Sequence, residues 1–381
     1  MLEQTKGDRM SRMIWTLICF FLLGTALPIY ADEQGANDQA SSKDTPASAM
    51  PAQPSVKPHL VLTQGLGMMT GDTRYQIGGL LTRPDGTQLQ QPDPTSELVF
   101  PLDVPMISLK VNLILWERFQ IGAGLKKNLS QAAGTMEDSD WGSWYMEPPR
   151  YQDGTLIPNL YPFRDDTLDI YSESDAELDA LIWDIKVGYR FVNKPRWSLT
   201  GSVGFIRQHF KYDVSDLIQG YPSFSDYFGF DPGQDTINGK ILTYDISYNI
   251  PYCMGELEGK LTNRIKVSGT FGFSPGFSSF PLHVWATDRD HHLYGKTGQG
   301  SVSKTDSTGD ALMYGLHGGI DLSWWHRESM RLVLSADYEN MSIKTSGDSD
   351  TTIGGYNGTY SIPEDVKSRQ KYFDLNLSFS F

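Results

Sequence analysis

Two short stretches of the chain carry side chains that could do chemistry together. Asp138 and Asp140 lie in Met136-Glu-Asp-Ser-Asp-Trp141, and Asp288, Asp290 and His292 lie in Trp285-Ala-Thr-Asp-Arg-Asp-His-His292. In extended backbone, residues two apart project from the same face. Each stretch would therefore present its acids, and the second also its imidazole, on one side. Crowded carboxylates raise one another's pKa values, and a carboxylate beside an imidazole raises that of the histidine. Such surroundings suit a general base that takes a proton from water. Taken alone, an Asp-x-Asp pattern is more often a solvated turn or a loose calcium site than a catalytic pair, and two histidines among several aspartates could hold zinc. The metal-free reading ranks first, because no thiol contributes and the adjacent His291 and His292 diverge in a strand.

The elements that would position these residues are strands. From His59 onward, apolar residues alternate with small or polar ones at period two over runs of about ten, the spacing of a tilted membrane strand. At the C-terminus Phe373, Leu375, Leu377, Phe379 and Phe381 form one face, while Asp374, Asn376, Ser378 and Ser380 form the other. The same pattern sets Ile107, Leu109, Val111, Leu113 and Leu115 against Ser108, Lys110 and Asn112. It also sets Leu181, Trp183, Ile185, Val187, Tyr189 and Phe191 against Asp184, Lys186, Gly188 and Arg190. Charge on every second residue would ruin the core of a soluble sandwich, but it suits a barrel with a polar lumen and a lipid-facing wall.

Ten such strands are expected: 59–69, 107–115, 119–125, 181–191, 197–205, 241–257, 263–287, 310–325, 329–343 and 368–381. Short turns fall near 117, 194, 260 and 327. Long polar connections fall at 70–104, 129–177, 213–240, 288–309 and 344–367. The expected fold is all-β: a ten-stranded antiparallel transmembrane β-barrel whose long loops face outside. Trp116, Phe191, Trp197, Trp324, Trp325 and Phe381 beside the short turns would form an aromatic girdle.

Composition narrows the remaining possibilities. Lys6, Arg9 and Arg12, the apolar run 13–23 and the small-residue end at Ala31 predict a signal peptide over 1–31. The Ala-, Ser- and Pro-rich stretch 32–57 predicts a disordered leader before the barrel at 58–381. Cys253 alone remains beyond the leader, which leaves no internal disulfide. The chain carries a formal charge of −14, and about −15 without its first 31 residues. Nucleic acid is thus an improbable partner, and cationic substrates suit the surface.

The motifs as a set resemble the omptin family of outer-membrane aspartyl-type endoproteases. Met136–Trp141 resembles the segment holding that family's aspartate couple, and 286–292 the segment holding its aspartate–histidine couple. Leu66-Gly-Met-Met-Thr-Gly71, Ile250-Pro-Tyr252 and Ser268-Gly-Thr-Phe271 look like family strand segments. The resemblance implies a surface endopeptidase in which Asp290 orients His292, His292 takes a proton from water, and Asp138 and Asp140 face them. It places Asp288 in a pocket for a basic residue, with Tyr75 standing where the family has glutamate. It also implies lipopolysaccharide as an activating lipid on the outer wall, near Arg207 and His209. No other cofactor and no metal is implied. The alternative from a different class is a non-catalytic porin or adhesin on the same scaffold.

Overall fold

The computed structural model describes residues 58–142, 150–152, 155–157, 167–229, 231–274, 283–293, 300–322, 331–353 and 358–381. The segments expected as signal peptide and leader, together with Trp324 and Trp325, lie outside them. The strands are β1 (His59–Ile77), β2 (Leu80–Thr82), β3 (Gln88–Gln90), β4 (Ser96–Pro101), β5 (Val104–Leu115), β6 (Phe119–Asn128), β7 (Ala132–Trp141), β8 (Arg150–Gln152), β9 (Thr155–Ile157), β10 (Leu168–Asn193), β11 (Trp197–Gly220), β12 (Asp235–Lys260), β13 (Ile265–Ser274), β14 (Val284–His292), β15 (Ser301–Asp321), β16 (Arg331–Ile353) and β17 (Tyr360–Ser380).

Pairing closes these strands into a ring, because β17 runs antiparallel to both β16 and β1. Around the circumference there are ten columns. In order they are β1, β5 continued upward by β4, β6 continued by β7, β10, β11, β12, β13 continued by β14, β15, β16 and β17. The continuation is read from the register: the lower half of β10 pairs with β6 and its upper half with β7. The lower half of β12 likewise pairs with β13 and its upper half with β14. Closure is what lipid demands, since an open edge would leave backbone groups without partners.

The expected faces hold. Leu66, Ile107, Leu109, Ile121, Leu125, Ile185, Leu316, Phe373 and Leu375 are all exposed on the outer wall, while Ser108, Asp374 and Asn376 are buried inside. Gly124 faces the lumen, where a Cβ would meet the Asp184 carboxylate and would have to displace it. At the short-turn end, Trp116, Phe119, Tyr189 and Phe191 form a chain of edge-on ring contacts at 5.1–6.1 Å.

Two expectations are corrected. The strands run well past their expected ends, β1 to Ile77 and β10 from Leu168, so much of the long connections is barrel wall. Outside lipid the alternation that marks a membrane strand fades. The stretch 263–287 is not one strand but two, β13 and β14, which occupy one column. The tight turn is made by Trp116 and Glu117, both at positive φ (50° and 58°), with Arg118 N donating to Leu115 O at 3.1 Å. That handedness follows the twist of the paired strands.

Side chains plug the interior around a cavity of about 180 Å³. The Gln208 amide of β11 donates to Gln370 Oε1 of β17 at 2.8 Å, joining columns on opposite sides of the ring. Below, Lys110 reaches Asp337 (2.9 Å) and Lys126 reaches Glu339 (2.6 Å), again across the lumen. Above, Phe100 of β4 stacks on Tyr244 of β12 at 4.5 Å and packs against Tyr212 of β11 at 4.9 Å. An aromatic floor therefore separates the barrel mouth from a braced lumen. Refolded protein in a planar bilayer is expected to give no open-pore conductance; steps like those of a water-filled porin would contradict a plugged interior.

Candidate active site

β7 and β14 stand in the third and seventh columns, on facing walls of the barrel mouth. On β7 the inward parity that buries Met136 carries Asp138 and Asp140. Asp138 sits opposite Leu98 of β4 and Ser172 of β10, and Asp140 opposite Ser96 and Ile170. On β14 the same parity carries Asp288, Asp290 and His292. These pair with Ile246, Tyr244 and Leu242 of β12 and with Thr305, Ser303 and Ser301 of β15. Strand pairing on both sides thus fixes the backbone of every one of these residues.

His292 Nε2 lies 2.8 Å from Asp290 Oδ2, and the carboxylate is only 4% exposed while the imidazole is 38% exposed. This leaves Nδ1 as the ring nitrogen able to take another proton. Burial works against charge on His292, but the Asp290 carboxylate, its hydrogen bond and the charges of Asp138 and Asp140 outweigh it and raise the imidazole to about 9. The influence is mutual. Asp138 is raised well above the usual carboxylate range by burial and then by Asp140 and Asp290, while His292 opposes the rise. Asp140 is raised by burial, against the hydrogen bond from Ser96 and the charge of His292. The four side chains expected to act together therefore share one electrostatic environment. Asp138 Oδ1 and Asp290 Oδ1 are both buried and make no hydrogen bond within the protein. They are acceptors into which a polar hydrogen could be placed.

Asp288 and Tyr75 also come together. Asp288 is 8% exposed and accepts a hydrogen bond from Tyr244 Oη at 2.9 Å. Tyr75 is buried, with its ring edge-on to Tyr244 at 5.6 Å. Burial first, and then Glu364, Asp290 and Asp288, hold its phenol protonated. Arg207 and His209 lie elsewhere, on the outer wall. Arg207 pairs in register with Trp183 and Asn249. His209 Nδ1 lies 3.0 Å from Ser247 Oγ and 3.4 Å from Asp245 Oδ1. Among the described residues, no three His, Cys, Asp or Glu side chains are arranged to hold a metal ion.

One acid at the mouth was not expected. Glu364 of β17 is 2% exposed and accepts a short hydrogen bond from the Thr305 hydroxyl. It falls in the stretch 344–367 that reads as a loop. Yet the inward parity of Asp374, Tyr372, Gln370 and Ser368, extended upward, arrives at Glu364.

The profile of the Omptin family matches residues 95–372, a span that holds Asp138, Asp140, Asp288, Asp290, His292 and Glu364. The chain belongs to the omptin family. Among solved structures, this omptin is similar to the outer membrane protease OmpT of Escherichia coli, with 16% identity, a TM-score of 0.63, and coverage of 86% of this chain and 99% of that one. That likeness is one of fold. A FadL homologue of Pseudomonas aeruginosa is matched at 10% identity over 85% of this chain and 90% of that one, with a TM-score of 0.26. The NalP translocator domain of Neisseria meningitidis is matched at 8% identity over 86% and 89%, with a TM-score of 0.34. Neither bears on the argument. No curated protein sequence is matched.

In this omptin the His292 pKa can be measured directly by a nuclear magnetic resonance titration of its imidazole. A midpoint near 9 is expected in the wild-type chain, moving down in Asp290→Asn as burial loses its main opponent. A group whose pKa rises on folding adds stability below its unfolded pKa and loses that contribution as pH rises through the folded value. The His292 contribution is thus complete below pH 6.5 and gone above about 9. A wild-type midpoint near 6.5 would refute this view of the site.

Proposed function

We propose that the chain is a cell-surface endopeptidase in which a water molecule, activated between the Asp290–His292 pair and the Asp138–Asp140 couple, attacks the peptide carbonyl. Membership of the omptin family makes it an outer-membrane protease. The observation that carries the mechanism is the imidazole held 2.8 Å from Asp290 and influenced by both carboxyl groups of the facing wall.

The roles follow from proton bookkeeping. His292 in its neutral form takes a proton from water as the water attacks, and Asp290 holds the ring and stabilises the resulting imidazolium. With raised pKa values, the Asp138–Asp140 couple keeps a proton that it can donate toward the oxygen on which negative charge develops. The imidazolium then gives its proton to the leaving amine, and as the tetrahedral species collapses to the new carboxyl group the borrowed proton returns to the Asp138–Asp140 couple. No covalent acyl-enzyme is involved, and the active site faces outside because it stands at the barrel end opposite the short turns.

The preference is for polypeptides with a basic residue at the cut, drawn by Asp288. Tyr75 in place of a glutamate makes this preference chain-specific. On the outer wall, Arg207, His209 and Lys211 share the lipid-facing parity of β11 and form a cationic patch for the phosphates of lipopolysaccharide, the proposed activating lipid. Asp245 beside His209 partly offsets that charge.

Because an imidazole raised to about 9 is mostly charged at neutral pH, kcat/KM should climb with pH up to about 9. His292→Ala should lower kcat by about 10²–10⁴-fold on basic peptides. Chain refolded in vesicles with and without lipopolysaccharide, followed by product identification from a mixed peptide pool, measures activity, specificity and lipid dependence together. Equal turnover by His292→Ala would remove the proposed base. Equal rates without lipopolysaccharide would remove the proposed activation.

A further inference from the structure

Glu364 has no part in the water-activating set, yet it lies against the acid expected to choose the substrate. Thr305, which faces Asp288 in strand register, donates its hydroxyl to Glu364, so the two acids meet at one neighbour. Two carboxyl groups so placed hold one proton between them, since both charges together would repel in a buried place. The groups facing Glu364 are Asp288 from β14, Tyr75 from β1, Thr305 from β15, Ser349 from β16 and, beyond Asp288, Tyr244 from β12. None of them is a cation. Burial and then the Asp288 charge push Glu364 up to about 9. Its Oε1 is buried and makes no hydrogen bond within the protein.

Position ties this pair to the reactive centre. Asp288 lies two residues from Asp290 on the same face of β14, roughly 7 Å along the strand. A long side chain next to the cut bond spans that distance. In register, Tyr75 of β1 faces Val366 and Ile77 faces Glu364, so the adjoining column brings a carboxyl group to the neighbourhood of Tyr75.

We infer that Asp288 and Glu364 together form the recognition pocket for one cationic side chain, sharing a single proton when empty and releasing it to solvent when an ammonium or guanidinium enters. The inference rests on the endopeptidase reading and deepens it. The balance is simple: the carboxyl O–H bond breaks, the proton leaves to solvent, and two carboxylates face one cation. No carbon bond changes in this step.

The test uses the full chain refolded with lipopolysaccharide in vesicles and carrying His292→Ala, which prevents cleavage and removes the imidazole from the proton count. Calorimetry near pH 7 in buffers of different ionisation enthalpy counts the protons released on binding matched peptides with Lys or Gln before the cut. The Lys peptide should bind on the order of tenfold more tightly, as a desolvated charge contact allows, and should release more protons than the Gln peptide. Adding Glu364→Gln should abolish that extra release, and adding Asp288→Asn should abolish both the release and the Lys preference. Equal affinity for the two peptides, or undiminished release in the Glu364→Gln chain, overturns the pocket. Cleavage by the chain with His292 intact is measured separately. Selective, proton-releasing binding without any cleavage would sink the endopeptidase reading alone, and cleavage without selectivity would sink the pocket alone.

Discussion

A sheet inside lipid has no edge it can leave open, because an unpaired amide or carbonyl there finds no water. Every other feature of this chain follows from how that demand is met. Once β17 pairs with β1, the order of ten columns is fixed, and so is which residues share a level. The columns do not stop at the bilayer. They continue as β4, β7, β14 and the upper parts of the longer strands, so that paired sheet reaches the site. Asp138 and Asp140 are held on one wall and Asp290 and His292 on the facing wall by backbone pairing on both flanks of each strand. A site on free loops would lose ordering entropy each time it assembled; this one is assembled with the fold.

The plugged interior has an electrostatic consequence. Phe100, Tyr212, Tyr244 and Tyr75 form a ring-packed floor directly below the acids, and the Gln208–Gln370 amide pair bridges the barrel beneath them. Water in the lumen is thereby kept from screening the carboxylates from below. In such surroundings charges act on one another at a lower effective dielectric. This explains how one imidazole can stand far above its ordinary pKa while two aspartates share its field. It also explains why the acids occur in couples: each buried negative charge must be offset by a proton or a cation.

Much of this was legible in the residues because the signal in lipid is strong. The inward and outward faces of β17 follow from its alternation of aromatic and polar residues, and the shared faces of Asp138 with Asp140 and of Asp288, Asp290 and His292 follow from period two alone. What stayed hidden lies above the membrane. There the alternation of apolar and polar residues weakens, so β7 and the start of β10 read as one loop, and β13 and β14 read as one strand. Glu364 was hidden for the same reason, although its parity with Ser368, Gln370 and Tyr372 was present. The turn near 117 was legible, but not that Trp116 and Glu117 form it, because neither residue favours positive φ. The meeting of β7 with β14 was readable only through resemblance, since no local pattern encodes which columns face each other.

Residues from two walls far apart in the chain act on one imidazole. The most direct measurement is the titration of His292 in the combined variant Asp138→Asn, Asp140→Asn, with β14 left intact. Removing the two facing carboxylates should lower the His292 midpoint below that of the wild-type chain, while Asp290 still bonded to the ring limits the fall. A midpoint unchanged from the wild-type value would mean that the walls do not communicate, and the account of a shared water-activating site would be wrong.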